Sequence, residues 1–150
     1  MHDEPGNRRS SHALRPLTVD DVDACLTLWR DTPGMGLSSA DEPDELARFV
    51  DRNAGLCWCA DGPDGLVAPV LCGSDGRRGY LYHVAVTTPL RRTGLGSAIV
   101  RTALESLAAS GVRKCHAMVF ADNESGRSFW EHVGWVPRSD LVVFSRDLDS

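Results

Sequence analysis

Hydrophobic positions change their spacing along the chain, and each spacing predicts one kind of element. Residues 13–17 are long enough for a short first strand, and Thr18 with Asp21 three positions on supplies an N-terminal capping signal. Apolar residues then recur at i, i+3, i+4 and i+7, which predicts an amphipathic helix with one buried stripe, made of Val22, Cys25, Leu26 and Trp29.

Three further helices follow from the same period. Residues 32–40 contain proline, glycines and serines and are predicted to form a loop, after which residues 43–53 form a helix with Asp41 available as its cap. The third helix covers residues 95–110, with apolar residues at intervals of four, and the fourth covers residues 125–133.

Shorter apolar runs between turn residues predict strands. They cover residues 56–60, 66–72, 80–86, 114–120 and 141–145. Because Pro69 cannot donate to a ladder, we expect a bulge or an unpaired side there. The run at 114–120 is almost continuously apolar, as in a strand covered on both faces. With the third helix between them, strands 80–86 and 114–120 make a βαβ unit, so the fold class is α/β with a mixed sheet.

Composition limits the classes of protein. A length of 150 residues fits one domain, predicted over residues 13–150 after a disordered tail at 1–12 that lacks the apolar core of a signal peptide. The net charge of −5 argues against nucleic acid and anionic membranes as partners. The five cysteines are an odd number in apolar surroundings, which favours free thiols and a cytoplasmic location.

The most informative stretch is the junction between strand 80–86 and the third helix. Two arginines, Arg91 and Arg92, precede Gly94 and Gly96 at the helix start. A glycine-rich turn into a helix presents unpaired backbone N–H groups and a positive dipole end, which bind phosphate. Glycines that merely shape a tight turn are the alternative. The stretch has no Gly-Lys-Ser/Thr, which argues against a P-loop. It also lacks the third glycine of a dinucleotide fingerprint, which argues against a dinucleotide site.

Two motifs resemble those of the GNAT superfamily of acetyl-CoA-dependent N-acetyltransferases. Residues 91–96 (RRTGLG) match its Arg/Gln-x-x-Gly-x-Gly/Ala motif, after an apolar strand (HVAV) like its fourth. Residues 123–135 (NESGRSFWEHVGW) resemble its Asn-x-x-Ala-x-x-Phe-Tyr-x-x-x-Gly-Phe. The resemblance implies the GNAT fold: a central sheet of six to seven strands, about four helices and a parallel fourth and fifth strand that splay apart.

The resemblance also implies a cofactor site for acetyl-CoA. Free backbone groups of the fourth strand would pair with the pantetheine arm, the helix-start turn would hold the pyrophosphate, and an arginine would reach a phosphate of CoA. Asn123 would lie near the pantetheine and Trp130 beside the CoA. The implied cofactor-binding residues are Val84, Ala85, Val86, Arg91, Arg92, Thr93, Gly94, Leu95, Gly96, Asn123 and Trp130.

Acetyl transfer needs a neutral amine and a donor to the developing oxyanion, for which we take the backbone N–H of Val84. Strand alternation places Tyr80, Tyr82 and Val84 on the face that, by analogy, lines the acceptor site. His83 is the residue of this strand whose type titrates near neutral pH, so it is the candidate base, and a packed, hydrogen-bonded histidine is the alternative. Trp130 stands where the family often has a tyrosine acid, which leaves that acid in doubt.

Other reactive residue types receive structural interpretations. Cys57 and Cys59 have no partner pair at zinc spacing, so no metal site is predicted. His116 and His132 share no motif. An acidic cluster stands at the start of the second helix, where the positive end of the helix dipole favours carboxylates. The alternative is that the cluster helps to bind a cationic amine at the adjacent loop. Its members are Asp41, Glu42, Asp44 and Glu45.

Three functions remain open to test. The first is N-acetyltransfer from acetyl-CoA to a primary amine by direct attack, without metal or acyl-enzyme, in which the acceptor is a small molecule or a peptide. The second is a CoA-binding regulatory module that has lost turnover, as Trp130 would allow. The third is a nucleotide-binding α/β domain. The family resemblance adds a homodimer to the expected assemblies.

Overall fold

The fold, in a computed structural model, is described for residues 12–85 and 93–149. The strands in these ranges are β1 (Leu14–Pro16), β2 (Trp58–Gly62), β3 (Gly65–Ser74), β4 (Gly79–Tyr82) and β5 (Cys115–Ala117). The α-helices are α1 (Val22–Arg30), α2 (Pro43–Arg52), α3 (Leu95–Ala109) and α4 (Glu124–His132). Two short 3-10 helices, Val19–Asp21 and Ser39–Asp41, precede α1 and α2.

The strands form one mixed sheet in the order β1-β2-β3-β4-β5. The first three neighbouring pairs are antiparallel and the pair β4/β5 is parallel, joined by α3, which confirms the predicted α/β class and its βαβ unit. The described residues contain five strands rather than six to seven. The prediction of a strand at 141–145 is wrong: these residues form no ladder, and Phe144 is 91% exposed.

Pro69 lies in the irregularity that its missing N–H predicted. The β2/β3 register passes from Trp58 opposite Val70 to Ala60 opposite Val67, so β3 contains one extra residue there. Ala68 takes a φ of 53°, the left-handed conformation typical of a bulged residue. A bulge removes the need for a ladder donor at this position, so the proline is tolerated inside a long strand.

Two strands are shorter than predicted, and each shortening has a local cause. β4 ends at Tyr82 because His83 has a φ of 59°, which breaks the extended conformation; Val86, the predicted last residue of this strand, lies outside the described residues. β5 stops at Ala117, and Met118 and Phe120 are mainly exposed, so the expected covering of this run on both faces is wrong.

The described residues divide into two compact units, which meet in sequence between Met118 and Val119. In the first unit, α1 and α2 bury their apolar faces against the sheet, and the predicted α1 stripe is fully buried. Four of the five free cysteines are buried there too. In the second unit, α4 covers nearly the predicted range, and its aromatic side chains contact one another. The single domain over 13–150 stays a prediction.

A stability test of the core uses α3. Ile99 is fully buried on this helix, whereas Arg101, two residues on, is exposed. We expect Ile99→Ala to lower the free energy of unfolding by about 2–5 kcal/mol, because the removed methyl groups leave a cavity. The matched Arg101→Ala should stay within about 0.5 kcal/mol of the wild type. Urea unfolding measures both, and equal losses would contradict the packing of α3.

A charged network ties β1 to the first 3-10 helix. The Arg15 guanidinium contacts both carboxylate oxygens of Asp21 at 2.9 Å and also reaches Asp61. The same Asp21 carboxylate accepts the backbone N–H of Thr18 at 2.8 Å, as the predicted capping signal requires. The Arg15 hydrogen bonds lower the pKa of Asp21 from its ordinary value.

Because the folded-state pKa of Asp21 is lowered, its stabilisation is present above the unfolded pKa and is lost as pH falls through the folded value. We expect Asp21→Asn to make unfolding free energy less dependent on pH between roughly pH 5 and pH 2. Urea unfolding across that window tests this, with the exposed Asp23→Asn as control. An unchanged slope in Asp21→Asn would refute the linkage.

Candidate active site

The turn before α3 ends in a left-handed glycine at the helix N-cap. Gly94, the N-cap, has a φ of 85°, a left-handed conformation that glycine adopts without a steric penalty. The first turn of α3 contains no acidic residue, and its first N–H groups have no partner within the helix. Thr93 precedes this N-cap, and Leu95 and Gly96 lie in the first turn of α3; their role in binding CoA stays a prediction. Arg91 and Arg92, the predicted phosphate contacts, lie outside the described residues.

The parallel ladder between β4 and β5 is short. In the described part of the chain it ends at the pair Leu81 and Ala117. Val84 and Ala85 continue the chain from β4 beyond this last pair and belong to no strand. Their backbone groups therefore stand outside the described β4/β5 ladder.

His83 lies directly beyond the end of β4 and is paired with a carboxylate. Its Nε2 is 2.8 Å from Oδ1 of Asp41, and the two side chains are only 14% and 8% exposed. Such a pair in a region of low dielectric is stronger than the same pair at the surface. The strand alternation expected through residue 83 does not apply, since the left-handed backbone at His83 re-aims its side chain.

Asp41 has a different role from the predicted one. The N-cap of α2 is Glu42, whose carbonyl accepts the N–H of Leu46, so Asp41 does not cap that helix. Its Oδ2 instead accepts the backbone N–H of Ser38 at 2.9 Å, in a capping box that closes the preceding 3-10 helix. The acidic cluster is thereby divided, with Asp41 buried and the carboxylates that follow it exposed.

Trp29 holds the backbone at the same point. Its indole N–H donates to the carbonyl of His83 at 2.8 Å, and the two rings lie with centroids 5.0 Å apart. Trp29 itself is 1% exposed in the core. Sequence reasoning missed both partners of His83, because residues 29 and 41 are far from 83 in sequence and carry no motif that links them to it.

The two predicted tyrosines precede His83 on β4. Tyr82 lies edge-to-face with Phe49 at 6.0 Å, and burial raises the pKa of its phenol, which therefore stays protonated at neutral pH. Tyr80 lies 5.8 Å from His116 of β5, so His116 is engaged in a ring contact on the neighbouring strand. The alternation of Leu81, buried, with the half-buried tyrosines agrees with the prediction for this part of the strand.

Asn123 and Trp130 belong to the second unit. The Asn123 side-chain oxygen accepts the N–H of Gly126 at 3.0 Å and caps α4, a structural role that sequence reasoning had not assigned. Trp130 contacts Phe129 and, at 4.4 Å between ring centroids, Trp135. The indole N–H of a tryptophan is not a usable acid, so this position supplies none.

Residues 12–85 and 93–149 contain no group of three or more His, Cys, Asp or Glu side chains arranged to hold a metal ion. The cysteines in those ranges are free, and burial raises the pKa of Cys57 and of Cys115 to about 11. Thiols in that state are poor nucleophiles at neutral pH. Of the described helices, none is long and apolar enough to cross a membrane.

The described residues combine a glycine turn at the start of α3, a short parallel β4/β5 pair and a buried Asp41–His83 pair in an α/β fold. Residues 22–135 match the family model described as "Acetyltransferase (GNAT) family". The chain therefore belongs to the GNAT acetyltransferase family. It is an acetyl-CoA-dependent N-acetyltransferase, the first of the three functions considered from the sequence.

Relatives and solved structures agree with this assignment. An acetyltransferase of Pectobacterium atrosepticum is 29% identical over 120 residues, 80% of this chain and 84% of the relative. The PaiA N-acetyltransferase of Thermoplasma acidophilum, solved in complex with coenzyme A, has a TM-score of 0.70 at 15% identity, with 81% of this chain and 87% of that one covered.

An aminoglycoside 6'-N-acetyltransferase of Acinetobacter haemolyticus is a further structural neighbour. Its TM-score is 0.71 at 17% identity, and the match covers 91% of this chain and 99% of that one. At such identities the likeness extends to the fold alone.

Proposed function

We propose that this enzyme acetylates a primary amine by direct attack, with His83 as the general base. The observation that carries the proposal is the position of the His83 imidazole, 2.8 Å from a buried carboxylate and one residue before Val84 at the open end of the β4/β5 pair. A base placed beside a backbone donor is what amine acylation requires.

Acetyl-CoA fits the turn and the strand ends described above. The first turn of α3, from Gly94 to Gly96, offers N–H groups without an opposing carboxylate, which suits a pyrophosphate. Val84 and Ala85 lie beyond the β4/β5 ladder and would pair with the pantetheine arm. We assign Arg91 and Arg92 to phosphate contacts on their sequence alone. We assign no metal to the reaction.

In this proposal, each residue of the site has a separate role in acetyl transfer. His83 removes the proton from the attacking amine, and the backbone N–H of Val84 donates to the negative charge that develops on the acetyl oxygen. Tyr80 and Tyr82 line the acceptor side. The cosubstrate supplies an acetyl thioester, whose thiolate leaves without an acid because a thiol has a pKa near 8.5. The indole at Trp130 is therefore compatible with turnover.

The acceptor is an amine-bearing small molecule or peptide. The aminoglycoside acetyltransferase among the structural neighbours supports the amine class without identifying the substrate. Free, mostly buried cysteines in the described residues support a reducing compartment, and we infer the cytoplasm. A homodimer is part of the proposal on family grounds.

Binding of acetyl-CoA is tested by thermal unfolding, with ATP and NAD at equal concentration as controls. At 100 times its dissociation constant, a ligand adds about 2.7 kcal/mol to stability. For a chain of this size that is a rise in Tm of roughly 5–10 °C. We expect Arg92→Ala to weaken binding about tenfold or more through loss of a phosphate contact. Arg101→Ala, an exposed arginine on α3, should bind normally. Equal responses to all three ligands would refute the CoA site.

The base is tested by His83→Gln. A screen of primary amines for release of CoA thiol first supplies a working acceptor. We then expect kcat to fall about 100-fold or more, the usual contribution of a general base, while acetyl-CoA still raises Tm as in the wild type. Tyr80→Phe, which keeps the ring, should have a smaller effect. Wild-type kcat in His83→Gln would show that His83 is a packed histidine only.

A further inference from the structure

We infer that Asp41 is a positioning residue for this enzyme: it fixes the His83 imidazole with its hydrogen on Nε2, which makes Nδ1 the atom that accepts the proton of the amine. The inference rests on the proposed role of His83 as base. It goes further by naming the reactive atom and the group that selects it.

The first step concerns the two oxygens of the Asp41 carboxylate. Oδ2 accepts the N–H of Ser38 at 2.9 Å, and the N–H of Asp41 in turn donates to the Ser38 carbonyl at 2.9 Å. These bonds fix the carboxylate on the 3-10 helix, so Oδ1 has a single orientation toward Nε2 of His83, 2.8 Å away. The carboxylate is held by its own loop before it meets the imidazole.

The second step concerns the proton between the two side chains. An ionised carboxylate only accepts hydrogen bonds, and a neutral imidazole carries hydrogen on one nitrogen. The hydrogen of the 2.8 Å bond therefore lies on Nε2, and Nδ1 keeps a lone pair. A carboxylate in this position also stabilises the imidazolium that forms when Nδ1 takes a proton.

The third step concerns the histidine backbone. Trp29 donates its indole N–H to the His83 carbonyl, which supports a left-handed φ of 59° at a residue other than glycine. For a residue other than glycine this backbone conformation is strained, and such strain clusters at active sites and ligand clamps. The imidazole is thus held from its backbone by Trp29 and from its ring by Asp41.

The variant Asp41→Asn tests the assignment because the amide has one acceptor and one donor. The Ser38 N–H can only donate, so the amide oxygen must face Ser38 and the amide nitrogen must face Nε2. Nε2 then has to accept, and the hydrogen moves to Nδ1. A near-isosteric change therefore inverts the tautomer and removes the base.

The primary measurement is the long-range ¹H–¹⁵N spectrum of the histidine rings in the full chain, recorded at a pH where imidazole is neutral. His83→Gln identifies the His83 signals by their loss. We expect Nε2–H in the wild type and Nδ1–H in Asp41→Asn. Asp51→Asn, an exposed aspartate on α2, should leave the tautomer unchanged. An Nδ1–H tautomer in the wild type overturns the inference, and this holds even if Asp41→Asn does not fold.

Turnover provides the second readout and separates the inference from the proposed function. We expect Asp41→Asn to lower kcat about 100-fold or more with KM for acetyl-CoA unchanged, and to have no further effect in a His83→Gln background. If His83→Gln alone keeps full activity, the base assignment fails whatever the tautomer. If His83→Gln is inactive but Asp41→Asn is not, only the positioning role is wrong.

Discussion

The packing of the Leu107 side chain against Gly79 links α3 to the start of β4, the strand that leads to His83. A Cβ at Gly79 would lie 2.6 Å from Cδ1 of Leu107, so the leucine side chain occupies the space that a side chain at residue 79 would need. The same glycine donates its N–H to the carbonyl of Lys114 and begins the parallel ladder. Gly79 thus leaves room for Leu107 and begins the β4/β5 pairing.

The other end of α3 is fixed by the β2/β3 hairpin. Leu95, at the first helical position, packs with Ala60, Val67 and Ala68 in a small buried cluster. These residues lie around the bulge that Pro69 requires, so the irregular part of β3 supports the helix start that faces the proposed phosphate site. Burial of Leu95 in this cluster fixes the first helical residue beside the Gly94 turn.

The sequence predicted the helices well because their apolar period is local information. The α1 stripe and the range of α3 could be read directly from spacing. Strand lengths could not, since an apolar run does not reveal where its pairing partner ends. β4 ends where His83 adopts a left-handed backbone conformation, and nothing in the local sequence around residue 83 requires that conformation.

The site, like the fold, was predictable where its residues form a local motif and not where they meet through tertiary structure. The glycine turn is a contiguous motif, and its place followed from the sequence. The Asp41–His83 pair joins residues 42 positions apart, and the local pattern at Asp41 gave it a helix-capping role instead. Asp41 does cap a helix, but it is the 3-10 helix before α2, and it does so through Oδ2, which does not face His83. Tertiary structure decided what the other oxygen does.

The two oxygens of the Asp41 carboxylate bind different groups, Ser38 and His83, and this links the loop before Asp41 to the histidine. We propose that the loop over residues 32–40 meets the amine; its last residues, from Ser38, lead directly into Asp41. A change of acceptor requires change in this loop, yet the capping box must persist for the His83 tautomer to persist. Variation in specificity is therefore tolerated before Ser38 and restricted from Ser38 to Asp41, where the loop and the base share one side chain.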